Sequence, residues 1–221
     1  LATASPRGPL SAGRYGLGAA GNTNNGWYGG GFPAGSTVDR IDFSNDSATA
    51  TARGVLSLAA RERLAATGNS NYGWYGGGRI PSPASVSSVD RMDFSNDFSR
   101  ASVRGTLTQA RYNLAATGNF NYGWFGGGQT AALNSNAVAT VDRIDFSNDS
   151  ATTSVRGSLS SARYGGTATG NSNYGWFGGG TPATAIVDRI DFSNDLATTS
   201  PRGSLSLGRS NFAATSNTHI G

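Results

Sequence analysis

The chain has 221 residues, with 17 Arg and no Lys, no Cys, and a formal net charge of +4. Without cysteine it has no disulfide, thiolate metal site or thiol nucleophile. Its basic residues form no Lys/Arg-rich run, so nucleic acid is not an expected partner. No apolar run approaches the length of a membrane span, which argues against membrane insertion. Leu1-Ala2-Thr3 does not open a signal peptide, and a chain that begins without Met reads as processed or as a piece of a longer product.

In chain order, the predicted elements begin with a lone strand over residues 1–7. Four similar units follow, at approximately 14–53, 61–104, 111–156 and 163–202, all within one domain spanning 1–221. Each carries an aromatic-Gly-rich segment centred on Trp27, Trp74, Trp124 or Trp176, at spacings of 47, 50 and 52 residues. In the second unit, strand a covers 61–69, with small residues such as Ala65 and Ala66. Strand b runs from Tyr72 to Tyr75 and ends at Gly76-Gly77-Gly78, where backbone angles or close contacts exclude a side chain. Strand c runs from Ser88 to Phe94, a turn falls at Asn96-Asp97, and strand d covers 99–104. A last a-type strand at 210–215 is followed by Thr218-His219-Ile220-Gly221.

Four short strands with Gly-rich turns, repeated about every fifty residues, predict an all-β fold of β-propeller blades. No apolar period of 3.6 persists, so helical repeats are excluded. Four complete blades and two partial terminal strands do not close a ring. The expectation is a fragment of a larger ring, or an incomplete ring that self-associates.

The unit resembles the Kelch repeat, whose blades carry a strand ending in a glycine pair, a following strand with a central Asp, and an Arg before the next inner strand. The matching residues are Gly77 and Gly78, Asp93, and Arg111. Kelch blades usually have a Trp in the fourth strand, where this chain has Ala101 and Ser102. The Val-Asp-Arg-x-Asp-Phe-Ser-Asn-Asp wording also resembles repeats in proteins of marine viruses and bacteria, including predicted virion or tail-associated ones. These resemblances imply a protein-binding, virion-borne or extracellular propeller.

Acidic residues recur as Asp39/Asp42/Asp46, Asp90/Asp93/Asp97, Asp142/Asp145/Asp149 and Asp188/Asp191/Asp195. Strand alternation separates the first two of each set, and the spacing is not that of an EF-hand, so no metal site is expected. A structural role is predicted instead. Asp42, Asp93, Asp145 and Asp191 should pair with neighbouring Arg side chains, and Asp97 and its equivalents should satisfy backbone donors in the c–d turn. The four Trp residues are large enough to fill the wedges between blades. The sole His is His219 and the sole Glu is Glu62. Four equivalent Asp–Arg sets are reused architecture rather than four active sites, so no catalytic residues and no cofactor are expected.

Subtracting the repeat leaves the b–c loops, over 32–37, 79–88, 129–140 and 181–186, with lengths of 6, 10, 12 and 6 residues. Variable loops on a rigid scaffold are where recognition is carried. Alternating strand direction puts b–c and d–a connections on one face. Arg79, Gln129, Asn134 and Asn136 from the loops, with Arg53, Arg104 and Arg156 from the d–a segments, are the candidate binding residues. The alternative for the Arg series is that it locks adjacent blades together. Phe98 and Phe120 break the polar consensus as contacts or local packing. The leading expectation is a non-enzymatic structural or adhesion propeller binding a protein or surface glycan. A lectin-like propeller and a Kelch-like interaction adaptor are the alternatives.

Overall fold

A computed structural model describes residues 4–33, 35–81, 84–130 and 136–215. It contains four four-stranded antiparallel sheets, each with strands in the order a-b-c-d. In the first sheet these are Gly18–Gly21, Asn25–Gly29, Thr37–Asp42 and Thr51–Val55. The second comprises Ala65–Gly68, Tyr72–Gly76, Ser88–Asp93 and Ser102–Thr106. The third comprises Ala115–Gly118, Tyr122–Gly126, Val141–Asp145 and Ser154–Arg156. The fourth is Thr167–Gly170, Tyr174–Gly178, Val187–Asp191 and Ser200–Pro201. Strand a of each sheet lies against strand a of the next, which gives a propeller-like arrangement.

Local chemistry explains each sheet. Asn69 closes the a–b turn by accepting from the N–H groups of Asn71 and Tyr72, both at 3.0 Å. The glycines after strand b are required twice over. Gly77 and Gly78 sit at φ +65° and +101°, and a Cβ on Gly77 would lie 2.5 Å from the Arg111 carbonyl. The second b–c loop adds a two-stranded ribbon, Arg79–Ile80 with Ala84–Ser85.

Packing between sheets follows one rule, repeated three times. Trp27 stacks on Phe94, Trp74 on Phe146 and Trp124 on Phe192, with centroids 3.8, 3.7 and 3.9 Å apart and nearly parallel planes. Each Phe belongs to the c–d turn of the following sheet. The aromatic after each Trp covers a glycine of the preceding sheet: Tyr75 lies over Gly29, Phe125 over Gly76 and Phe177 over Gly126. The buried Tyr75 hydroxyl donates to the Trp27 carbonyl at 3.1 Å, and burial pushes its pKa far up. The apolar cores therefore lie between sheets, and no sheet could bury its face alone.

Three expectations are corrected. Strand a begins at Ala65 rather than Arg61, because residue 63 takes a positive φ of 55° just before it. Strand d begins at Ser102, after a turn in which the Ser99 N–H reaches the Asn96 carbonyl. Neither 4–7 nor 210–215 forms a strand. Strands need a ladder, and among the described residues neither segment has a b or c strand beside it. Residues 1–3 of the predicted first strand lie outside the described residues. Residues 8 and 9 instead bond to the first c–d turn, through Gly8 N–H to Asp46 C=O at 2.7 Å and Ala50 N–H to Pro9 C=O at 2.8 Å.

Candidate functional site: a variable face around the inner strands

The carboxylates divide into three structural sets. Asp39, Asp90, Asp142 and Asp188, at the centre of strand c, are buried and paired with Arg14, Arg61, Arg111 and Arg163 of the same sheet. Each also accepts from a hydroxyl and its own N–H: Ser11, Ser57, Thr108 and Ser160 respectively. Each Arg spans strand b to reach its Asp, and Arg61 also donates to the carbonyls of Gly77, Tyr75 and Ser88. Burial lowers the pKa of Arg61 and Arg111, and the facing carboxylate opposes that fall.

The second and third sets exchange the roles expected from sequence. Asp42, Asp93, Asp145 and Asp191 do not pair with Arg. Each caps the turn after strand c, accepting from the N–H and hydroxyl of Ser44, Ser95, Ser147 or Ser193. Asp97, Asp149 and Asp195 instead reach the preceding sheet. They accept from the indoles of Trp27, Trp74 and Trp124, each at 2.9 Å. Arg40, Arg91 and Arg143 join the same carboxylates at 3.2, 3.0 and 3.0 Å. Arg53, Arg104 and Arg156 lie 3.6, 3.7 and 3.3 Å away. These last three, candidates for binding, are thus engaged between sheets. Trp176 of the fourth sheet is half-buried, edge-on to Tyr174 at 5.9 Å.

Two of the capping carboxylates, Asp42 and Asp191, should make stability fall with acid in a defined window. The Ser44 and Ser193 hydroxyls, then their N–H groups, hold Asp42 and Asp191 below the ordinary carboxylate range. Because the folded pKa is depressed, their contribution is present above about pH 4 and lost as pH falls through the lowered folded values. Thermal melts from pH 6 to pH 2 should show the midpoint falling below about pH 4. The decline should be shallower in the Asp42→Ala/Asp191→Ala variant.

With those groups engaged, what differs between sheets lies where strand a begins and the b–c loop leaves. At this position the same isolated bridge recurs with four different residue pairs: Tyr15–Phe32, Glu62–Arg79, Tyr112–Gln129 and Tyr164–Thr181. The first is an aromatic pair, 56% and 51% exposed, with centroids 5.8 Å apart. In the second, Arg79 Nε donates to Glu62 Oε1 at 2.6 Å, and its guanidinium lies 5.6 Å from the Tyr112 ring centre. Gln129 is only 8% exposed, so it braces the third loop through bridges to Tyr112 and Ala137 rather than standing free. Asn136 is exposed, and its carbonyl accepts from Thr130 N–H; Asn134 lies outside the described residues.

Tyr15, Gln129 and Tyr164, one residue from each of three pairs, line a cavity of about 730 Å³ together with Arg63, Asn113 and Asn211, among others. Its rim is a relay of left-handed residues. Arg63, Asn113, Gly165 and Asn211 each donate an N–H to the carbonyl of the equivalent residue one unit earlier, starting from Gly16. Arg63, Asn113 and Asn211, all at φ +55°, each store about 1 kcal/mol of backbone strain at this mouth. The opposite end of the inner strands opens on a plainer cavity of about 430 Å³, lined mainly by Ala, Gly and Thr. No group of three or more metal-ligating side chains occurs among the described residues. Phe98 is 71% exposed beneath the Arg53 guanidinium at 4.4 Å, and Phe120 is half exposed.

The fold defines an all-β, propeller-like protein. No protein-family model matches the chain, and no curated protein matches its sequence. Among solved structures it is similar to that of YjhT, with a TM-score of 0.73 and 12% identity, over 91% of this chain and 68% of that chain. At that identity the likeness carries the fold alone.

Proposed function

We propose that the protein is a non-enzymatic β-propeller with Kelch-like blades that binds a partner protein on a cell or particle surface. On this reading the four sheets are complete blades. One observation carries the function: a single backbone bridge, at one position in every sheet, bears four unlike side-chain pairs, three of which give a residue to the wall of one cavity. The repeated Asp and Arg residues are engaged in holding sheets together, so selectivity falls to the exposed aromatic pair and the Arg79–Glu62 pair. Exposed aromatics and Arg beside a strained rim suit a protein contact. An extracellular or virion-borne setting fits the resemblance to virion-associated repeats.

The exposed Tyr15–Phe32 pair also supports a second reading, in which the rings stack on a surface glycan. Labelled protein applied to intact cells and to a glycan array separates the two. Protein recognition predicts retention on cells that is lost after protease treatment and at least tenfold weaker for Tyr15→Ala/Phe32→Ala/Arg79→Ala. Retention that survives protease and is competed by free glycan establishes the second reading. Equal retention of the triple variant counts against both.

A further inference from the structure

Among the described residues the interface between sheets is built three times, and its first half is built a fourth time with no second half. Each element of that fourth half can be compared with its filled counterparts. Trp27, Trp74 and Trp124 each carry a Phe ring on one face and a carboxylate on the indole N–H. Trp176 has neither among the described residues. Arg40, Arg91 and Arg143 reach the same carboxylate; Arg189 lies over Tyr174 as Arg91 and Arg143 lie over Tyr72 and Tyr122, but among the described residues it forms no ion pair and its buried Nε is unpartnered. Gly29, Gly76 and Gly126 lie under an aromatic ring of the next sheet, whereas a Cβ on Gly178 would meet only Val187 of its own sheet.

The inner segment after the fourth sheet is nevertheless in place. Asn211 N–H donates to the Gly165 carbonyl at 2.7 Å, and Gly180 N–H to the Arg209 carbonyl at 2.9 Å, as at the three earlier junctions. Arg209 occupies the position of the buried Arg14, Arg61, Arg111 and Arg163, yet it is exposed and no carboxylate faces it. Ser206, at the position of the Ser and Thr residues that donate to the strand-c Asp, is exposed too.

We infer that this edge is a binding socket whose occupant is a b–c hairpin of the same repeat. The groups it lacks spell that hairpin in order. An aromatic from strand b covers Gly178, and a strand-c Asp pairs with Arg209 and Ser206. A Phe in the following turn stacks on Trp176, and the Asp closing that turn takes the Trp176 indole with Arg189 and Arg202. Charge agrees with this assignment: among the described residues Arg189, Arg202 and Arg209 form no ion pair, the Arg209 side chain donating only to Leu207 and Ser206, and the hairpin would bring two carboxylates. The opposite edge shows the same interface from its other side, with Phe43 49% exposed and the Asp46 carboxylate meeting Arg7 at 3.6 Å. A second copy of the chain is a poorer occupant, because its Asp39 already pairs with its own Arg14 at 3.0 Å. The inference stands apart from the loop-face reading, since it uses none of the loop residues.

The probe is a synthetic peptide copying residues 171–195, added to the intact chain. The control peptide carries D188A, F192A and D195A. The melting midpoint of the chain should rise with peptide concentration and stay unchanged with the control. Arg209→Ala, at an exposed position, should leave the midpoint of the free chain unchanged and weaken peptide binding at least tenfold. An isolated hairpin is only marginally folded in water, so a covalent format accompanies it. Residues 213–221 repeat the order of 115–123 with Ser216, Thr218, His219 and Ile220 substituted, so a copy of 176–195 is appended after Gly221. That extension should raise the midpoint above that of a shuffled tail of equal length. Absence of a rise in both formats, or an equal rise with the control peptide, overturns the inference. So does native mass that grows with concentration in the free chain and reverts to monomer in Trp176→Ala, since a second copy would then fill the socket.

Discussion

Replacing Trp124 with Ala is expected to cost about 4 kcal/mol, enough to remove most of the stability of a typical domain. Its indole is fully buried, stacks on Phe192 at 3.9 Å with a 7° interplanar angle, and donates to Asp195 at 2.9 Å. Truncation leaves a cavity between two sheets and also strips the buried Asp195 carboxylate of one donor. The informative comparison is Trp176→Ala. That residue has the same sequence neighbours but no second sheet against it, so its truncation should cost about 1 kcal/mol, as for a partly exposed side chain. Urea denaturation of both variants checks this. Equal losses would mean that the value of each Trp lies within its own sheet rather than between sheets.

The second large effect concerns the buried ion pair of strand c. Arg111→Met should cost about 3–5 kcal/mol, because Asp142 stays buried without its counter-charge. Arg111 Nη1 lies 2.9 Å from Asp142, and Nη2 donates to the Phe125 carbonyl at 3.0 Å, so the substitution also removes a donor from that carbonyl. The double variant Arg111→Met/Asp142→Asn removes both charges and keeps an acceptor for Thr108. A double-mutant cycle by denaturant unfolding should therefore give a coupling of about 2 kcal/mol. Arg104→Met is the contrast: its pair with Asp149 is 3.7 Å long and its side chain is 30% exposed, so about 1 kcal/mol or less is expected. Similar losses for Arg104 and Arg111 would contradict the separation drawn here between a buried lock and a partly solvated bridge.

Several features of the fold were legible from spacing alone. The position of strand b and its glycine terminus follow from aromatic alternation and from three glycines in a row. The order a-b-c-d follows from short alternating runs joined by Asn- and Gly-rich turns, which favour antiparallel neighbours over crossovers. The division of labour among the aspartates was not legible. Asp93 and Asp97 sit four residues apart on one turn, and either could cap it. Asp93 caps because strand c ends there and the Ser95 N–H and hydroxyl lie within reach of it. Asp97 is left to meet Trp27, 70 residues earlier in the chain. Likewise, Asp90 and Arg61 are 29 positions apart, and nothing local marks them as partners. A signal was present all the same: an Arg before strand a and an Asp directly after the strand-c Val recur in every unit, where a lone buried charge would be costly.

On the candidate face, Arg79 pairs with Glu62, Gln129 turns inward, and Arg53, Arg104 and Arg156 are drawn between sheets. The sequence could locate the variable loops, because loop length changes while the strands keep time. It could not show that residues 15 and 32, or 62 and 79, form the same bridge in successive sheets. Pairing of that kind depends on strand register within each sheet and on the angle between sheets.

The sequence by its own periodicity established an all-β array of near-identical units whose aromatic and glycine residues are packing parts. It did so because alternation, turn chemistry and repetition are local properties. Only the tertiary structure decided which carboxylate meets which guanidinium, which face varies, and which edge is left unfilled. Those are relations between residues as far as 58 positions apart. They take definite form only when one sheet is set against the next.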